Sequence, residues 1–402
     1  MFLNLRPLIQ YRDFRLLYLG QFISLLGSMM SYVAIPYQMF QLTQSSAMVG
    51  AIGIAQLIPT VVFGILGGSV ADSMDRRKLL LYSELFLGVA VIGLAINAMI
   101  PQPSIAAIFI LTILIQSAVG FHRPAMDAAV QKLVDANDYA TIGALGGFRF
   151  SVGSILGPAM GGILIASFGA SIAYWVDAAT FLISFLLILA MKRMPSPERA
   201  RKNHAEDIKE GLRYAFSRPV LMGSYVVDII AMTFAFPVAI FPEMSVAWGG
   251  AKAAGVLFSA MSIGSLVMTI FSGWTPRVKR HGAAIIISAS IWGVAIIALA
   301  YAPNLTMAVV CLAVAGAADM VSGLFRGILW NETIPNSMRG RMSGIEMISY
   351  MSGPLLGNAR VGYMASHFTI HISVLLGGVI CTIGVIACVW MYKEFWEYSS
   401  SI

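Results

Sequence analysis

Twelve stretches of this chain stay apolar for about 20 residues or more, long enough for a helix to cross roughly 30 Å of hydrocarbon at 1.5 Å per residue. They fall near 14–40, 46–71, 77–99, 104–129, 139–166, 170–191, 219–245, 251–275, 282–302, 305–330, 341–366 and 370–392. The connections between them are too short to fold alone. Composition agrees: 58% of the residues are hydrophobic and 11% charged, whereas a soluble domain is about a quarter charged. A soluble enzyme of this size is excluded, because too few polar side chains exist to cover its surface. The expected fold class is an all-α membrane protein with twelve transmembrane helices.

The one long connection, 192–218, carries Pro195, Pro197 and a charged run, and it separates two sets of six spans. The expected domains are therefore an N-terminal half over 1–191, a cytoplasmic linker over 192–218, and a C-terminal half with a short tail over 219–402. Within the linker Ile208, Leu212 and Phe216 recur every fourth residue among charges, the pattern of an amphipathic helix, either solvated or lying on the bilayer surface. Basic residues set the orientation. Alternate connections, beginning at the N-terminus, hold 22 of the 26, while the opposite set holds Lys252 with Arg360 close by. The positive-inside rule then places both termini in the cytoplasm. The net charge of +7 accordingly reports topology and contact with anionic lipid, not nucleic acid. No cleavable leader is expected, since Arg12, Asp13 and Arg15 lead straight into a span with no small-residue cleavage site. Cys311, Cys381 and Cys388 all lie inside apolar runs, an odd number without metal spacing, and are read as small core residues. No metal or other cofactor is expected.

The two sets of spans repeat one another. Gly157-Pro158 in the fifth recurs as Gly353-Pro354 in the eleventh, and Gly68, ahead of a basic cluster, has a counterpart in Gly273. Two segments carry recognisable motifs. The first runs from Gly68 through Asp72 and Asp75 to Arg76, Arg77 and Lys78; the second is Gly153, Gly157, Pro158, Gly161 and Gly162 in the pattern G-x-x-x-G-P-x-x-G-G. Glycines at i, i+4 and i+8 leave one bare face for close helix approach, and the proline permits a bend. Gly255, Ser259 and Ser262 offer a matching small-residue face on the eighth span.

The first motif resembles the cytoplasmic loop signature of the major facilitator superfamily, and the second matches that superfamily's antiporter motif at every fixed position. With Leu42-Thr43, Val49-Gly50, Pro59, Pro124-Ala125, Leu133-Val134 and the run from Gly340 to Gly344, the resemblance extends over nearly the whole chain. It points to the subfamily of enterobactin (siderophore) exporters and macrolide efflux proteins. Asp75 stands where the general loop motif has glycine, and the mid-membrane arginine that many proton-coupled exporters carry in the fourth span is missing, Arg123 being nearest. The resemblance implies two parallel six-helix halves with a substrate site between them near the midplane. It implies that the antiporter motif and the eighth span seal one side of that site. It also implies that Asp72 latches onto the positive N-terminus of the eleventh span near Gly340.

Ionisable residues within spans are functional candidates, because each costs at least about 2.5–3.5 kcal/mol at the bilayer centre. Counted from the span ends, Arg149, Asp228 and Asp319 lie near the midplane. Arg149 is read as a site for an anionic substrate group or a partner for a carboxylate, and Asp228 and Asp319 as proton carriers. Each could instead serve helix packing alone. Arg123 and Asp127 read as a structural i,i+4 bridge. Asp177, Arg326, Glu346 and Arg360 lie nearer span ends and are expected to snorkel. Gln21 and Gln116, with Tyr32, Gln38 and Gln56, could hydrogen-bond a polar substrate or neighbouring helices.

The function that follows is secondary-active efflux of an amphipathic small molecule, most simply a siderophore, by alternating access with proton antiport. The protein would work as a monomer in the bacterial inner membrane. Multidrug or macrolide efflux, import, and a membrane-embedded enzyme or scramblase are the alternatives. No P-loop motif and no polar catalytic constellation is present in the sequence, so an enzyme is not expected. Reporter fusions after residue 205 and at the C-terminus should both report a cytoplasmic location; opposite locations would require an odd number of crossings after the linker and reject the topology.

Overall fold

The computed structural model describes residues 4–71, 74–194, 204–335 and 338–400. Within hydrocarbon the backbone must bond to itself, and among the described residues there are α-helices and short 3-10 turns but no strands. The helices are α1 (Arg6–Gln10), α2 (Arg12–Thr43), α3 (Ser46–Ala71), α4 (Arg76–Met99), α5 (Ile105–Leu133), α6 (Tyr139–Phe168), α7 (Ala170–Leu189) and α8 (His204–Phe216). They continue with α9 (Pro219–Ala235), α10 (Phe241–Val246), α11 (Ala251–Ile270), α12 (His281–Ala300), α13 (Leu305–Thr333), α14 (Arg339–His367), α15 (Ile370–Met391) and α16 (Lys393–Glu397). Eleven of the described spans are long and apolar enough to cross a membrane. The twelfth, α14, has 29 residues, about 43 Å at 1.5 Å per residue, and is more polar because it carries Arg339, Arg341, Glu346 and Arg360. The linker segment α8 is helical, with Leu212 and Phe216 exposed.

Two spans differ from the sequence expectation. The seventh is not one helix. It stops at Ala235, passes Pro237 into a 3-10 turn at Val238–Ile240, and resumes as α10. Pro237 has no N–H to donate, and the displaced amide of Ala239 donates instead to Asn358 Oδ1 of α14 at 3.0 Å. The eighth ends at Ile270, and Gly273 lies in the following 3-10 turn Ser272–Arg277, where a Cβ would meet nothing.

The chain forms two compact units that do not follow the sequence halves everywhere. The first comprises Met1–Leu42, Ile58–Arg201 and Ala254–Ser259; the second comprises Thr43–Leu57, Lys202–Ala253 and Ala260–Ile402. Helices α3 and α11 are each shared between them.

In the first unit, α4 packs against α5 and α7. Asp75 is the N-cap of α4, accepting from the amides of Arg77 at 2.9 Å and Lys78 at 3.3 Å. That role explains an acidic residue where the loop motif has glycine, since a carboxylate satisfies helix-start donors that glycine leaves bare. Arg77 reaches across to the carbonyls of Ile188 (3.0 Å) and Leu189 (2.5 Å), closing the end of α7. Gly67 lies against Gly120 of α5, close enough that a Cβ would strike its carbonyl group.

Helix α6 uses two faces. Its row Gly153, Gly157, Gly161 packs on Leu25, Leu26, Met29 and Met30 of α2. Helix α11 meets a different stripe. A Cβ on Gly255 would lie 2.5 Å from Pro158 O and 2.9 Å from Gly162 Cα, and Ser259 Oγ donates to Ile155 O at 2.8 Å. At the α6–α7 junction Gly169 adopts φ +85°, a conformation that L side chains avoid.

In the second unit, α12 packs against α13 and α15, and α9 against α14 and α15. The start of α3 belongs here: a Cβ on Gly53 would lie 2.6 Å from Leu355 O of α14, and Ser46 Oγ donates to Glu243. The segment after α15 is part of the core. Phe395 is fully buried, its ring 2.6 Å from where a Cβ on Gly223 would sit and its carbonyl directly over Gly282. Glu332 holds the chain beyond it, accepting from Tyr398 Oη at 3.0 Å and Ser400 Oγ at 2.8 Å beside His281 at 3.2 Å. Burial and the Glu332 hydrogen bond push the Tyr398 hydroxyl up to about 12, so it keeps its donor proton through neutral and moderately alkaline pH.

The glycine face of α6 yields a paired expectation. Gly157→Ala forces a Cβ into Met29, with Leu26 O at 3.0 Å, and should cost about 1–3 kcal/mol. Gly147→Ala, with nothing within 4 Å, should be neutral or stabilising by up to about 1 kcal/mol. Thermal unfolding in detergent followed by thiol labelling checks this, because all three cysteines are buried.

Candidate functional site

Arg149 lies in α6 beside a cavity of about 470 Å³ within the first unit. The lining comes from α2 (Phe14, Tyr18), α5 (Met126, Asp127) and the start of α6 (Tyr139, Gly143). Glycines at 143 and 146 keep that wall low. The guanidinium contacts Met126 Sδ through both terminal nitrogens at 3.8 Å, and its Nε is buried with no hydrogen-bond partner among the described residues. Asp127 and the Tyr18 hydroxyl are its electrostatic neighbours. The half-buried cation thus has spare donors facing aromatic and sulfur groups, a setting that suits an oxygen-rich anion with apolar bulk.

In the second unit Asp228 of α9 is buried and ion-paired with Arg326 of α13. Asp319, two turns back on the same face of α13, has Oδ1 at 4.0 Å from the same guanidinium. Their exposures differ: the Asp319 side chain is 42% accessible and that of Asp228 4%. Arg326 therefore does not snorkel. The Asp228 carboxylate at its own level in α9 draws it inward, a partner that counting along α13 alone could not reveal. The acidic pair and Arg149 each have a neighbour of opposite charge within their own unit, Arg326 for the first and Asp127 for the second.

Gln21 is committed to helix packing. Its Nε2 donates to Glu84 Oε1 of α4 at 2.6 Å and to Ser184 Oγ of α7 at 3.3 Å. His122 Nε2 of α5 lies 3.0 Å from the same Glu84 oxygen. Sequence reasoning missed Glu84, His122 and the role of Arg326. An acidic residue eight positions inside the apolar α4, and an Asp–Arg spacing of seven in α13, were the available signals. Asp177 does not snorkel either: it is buried in α7, accepting from Ser31 of α2 and from Thr180 at 3.4 Å. Arg360 turns to the carbonyl of Ser373 at 3.1 Å. Gln38 accepts from Tyr174 at 2.9 Å, Tyr32 stacks edge-on against Phe258, and Gln116 is half-buried in α5. Of the loop motif, Arg76 opens α4 with Nε and Nη1 buried and unpaired among the described residues. Gly68 lies in the last turn of α3, and Asp72 with its expected latch lies outside the described residues.

Removing one member of a buried ion pair strands the other, at about 3–5 kcal/mol. Arg326→Ala should lower stability by that amount, and combining it with Asp228→Asn should recover most of the loss. A double-mutant cycle on detergent-solubilised protein measures the coupling; additive losses would show that the two residues do not act as a pair.

Comparison with known proteins agrees with this architecture. The family model described as transmembrane secretion effector matches residues 4–400. The enterobactin exporter EntS of Salmonella choleraesuis (strain SC-B67) is 29% identical over 370 residues, 91% of this chain and 89% of its own. EntS of Escherichia coli O1:K1 / APEC is 28% identical over 91% of this chain and 88% of its own. A solved structure of the nucleoside transporter NupG superposes with TM-score 0.71 at 15% identity, covering 94% of this chain and 98% of its own. A bacterial homolog of the human lysosomal transporter Spinster superposes with TM-score 0.76 at 14% identity, over 97% and 98%; these two likenesses speak to fold alone. A family match over residues 4–400, read with the membrane spans, leaves no room for a soluble catalyst: the chain belongs to the transmembrane secretion effector family of the major facilitator superfamily and is a multi-pass membrane transporter of a small molecule, not an enzyme.

Proposed function

We propose that the protein exports a siderophore-like, amphipathic anion from the cytoplasm across the bacterial inner membrane, by alternating access coupled to proton antiport. The observation that carries this reading is the likeness to enterobactin exporters over 91% of the chain. It works as a monomer with both termini cytoplasmic, its two six-helix halves over 1–191 and 219–402 joined by the linker 192–218. Arg149, which lines a cavity together with Phe14, Tyr18 and Tyr139, binds the anionic part of the substrate in competition with Asp127. In the second half, Asp319 and Asp228 share Arg326, and Asp319, the more accessible carboxyl, carries the proton. Protonation of Asp319 weakens its hold on Arg326 and biases one conformation over the other, so proton and substrate drive the cycle in opposite directions. Asp72 couples the halves at the cytoplasmic face.

Inverted membrane vesicles containing the protein should accumulate enterobactin when a proton gradient is imposed, and a protonophore should abolish the accumulation. Arg149→Ala should reduce it about tenfold, a loss of roughly 1.4 kcal/mol of binding, while affecting a neutral macrolide less. Asp319→Asn should remove the dependence on the gradient. Accumulation that persists with the protonophore would reject antiport, and macrolide uptake without enterobactin uptake would replace the siderophore reading with drug efflux.

A further inference from the structure

The core of the first unit holds an acid–base pair that the substrate cavity does not include. Glu84 of α4 has a fully buried side chain, and His122 of α5 is 15% exposed, with Nε2 at 3.0 Å from Glu84 Oε1. Every donor reaches that one oxygen, since Gln21 also donates to Oε1, at 2.6 Å. Oε2 is buried with no hydrogen-bond partner among the described residues.

An ionised carboxylate so placed has one oxygen well solvated by protein and the other bare, which is costly in a medium with no water. One proton on the pair leaves either an imidazolium facing a carboxylate or a neutral imidazole facing a carboxylic acid. Neither form has net charge. Without that proton the pair is a buried anion. The groups facing it are few. From α2 comes the neutral Gln21; from α7 come Ser184 and, within electrostatic reach of Glu84, the buried Asp177. From α5 His122 comes with Arg123 next in sequence and Asp127 five residues on, and His122, Arg123 and Arg149 all lie within electrostatic reach of Asp127. On the α3 side of α5 the close contacts are Phe63 with Phe121 and Gly67 with Gly120, which are neutral. His122 thus contacts the buried Glu84 and lies within electrostatic reach of Asp127, which lines the Arg149 cavity.

We propose that Glu84 and His122 form a buried proton-binding site that exchanges its proton with the Arg149 cavity by way of Asp127, so that the unit holding the substrate-binding cation Arg149 also holds a proton of its own. The exchange is an acid–base step: an N–H or O–H bond forms on the pair as one breaks on the water or Asp127 carboxyl that supplied the proton, and no other group is transferred. This rests on the antiport reading above. It places a second proton site, additional to Asp319, where substrate arrival on Arg149 would be felt through Asp127.

The test uses the full chain in proteoliposomes and two readouts. Infrared difference spectra between acidic and alkaline buffer should show a protonated-carboxyl band that disappears in Glu84→Gln and has a displaced pH midpoint in His122→Gln. A band unaltered in Glu84→Gln, or a midpoint identical to wild type in His122→Gln, overturns the site. His122→Gln, altering a partly exposed residue, keeps the test decisive should Glu84→Gln fail to fold. The second readout compares enterobactin accumulation driven by a pH gradient with enterobactin counterflow at equal pH. Glu84→Gln should depress the first about tenfold more than the second; equal effects on both would remove the pair from coupling. If wild type accumulates nothing while the infrared signature stands, the antiport reading fails and the proton site survives.

Discussion

In the bilayer interior an unpaired backbone amide costs several kcal/mol, and an unpaired charge at least about 2.5–3.5 kcal/mol. The described helices keep almost all of their backbone bonds internal for that reason, and the one mid-span interruption, at Pro237, is accompanied by a side chain that takes over the lost partner, Asn358 Oδ1. The same constraint settles the charges. Arg326 meets Asp228, Arg77 meets the last carbonyls of α7, and Arg360 meets Ser373 O. Among the described residues a donor stays unmet at Arg149 Nε and an acceptor at Glu84 Oε2, both buried.

Helix positions were legible from hydropathy because a span must be long and apolar whatever it packs against. The linker helix followed from its four-residue periodicity, and the two motifs led to the right family. Facing was not legible. Depth along α13 put Arg326 near an end, but the direction of its side chain depends on Asp228 in a helix nearly a hundred residues away in sequence. Asp177 was misplaced in the same way, since Ser31 and Thr180 make a polar niche for it inside the unit. Gln21 read as a possible substrate contact because Glu84, the group it bonds, drew no notice as a single acid in a strongly apolar run. The relevant information lies in which helices are neighbours, and spacing within one helix does not contain it.

The antiporter motif shows how a correct motif can hold an unexpected geometry. Glycines four apart invited a single partner, yet α6 offers two surfaces: the glycine row to α2, and the backbone around Pro158 and Gly162 to α11. Proline takes part in the second contact through its carbonyl, which Gly255 allows to come close. The small residues of both helices thus enable main-chain approach, the dispersion-driven packing that replaces the hydrophobic effect between helices in lipid.

Phe395 bears on how the second unit is made. Its ring fills the space over Gly223 and its carbonyl sits over Gly282, so α9 and α12 share a contact supplied by a residue translated long after either. At ribosomal speeds of about 5–20 residues per second, roughly 10–30 s separate the synthesis of Gly223 from that of Phe395. During that interval the two helices sit in the membrane with an open seam at one end. Insertion of this unit is therefore completed by a late-arriving plug, and the nascent protein depends for that time on lipid or the insertion machinery to cover the gap.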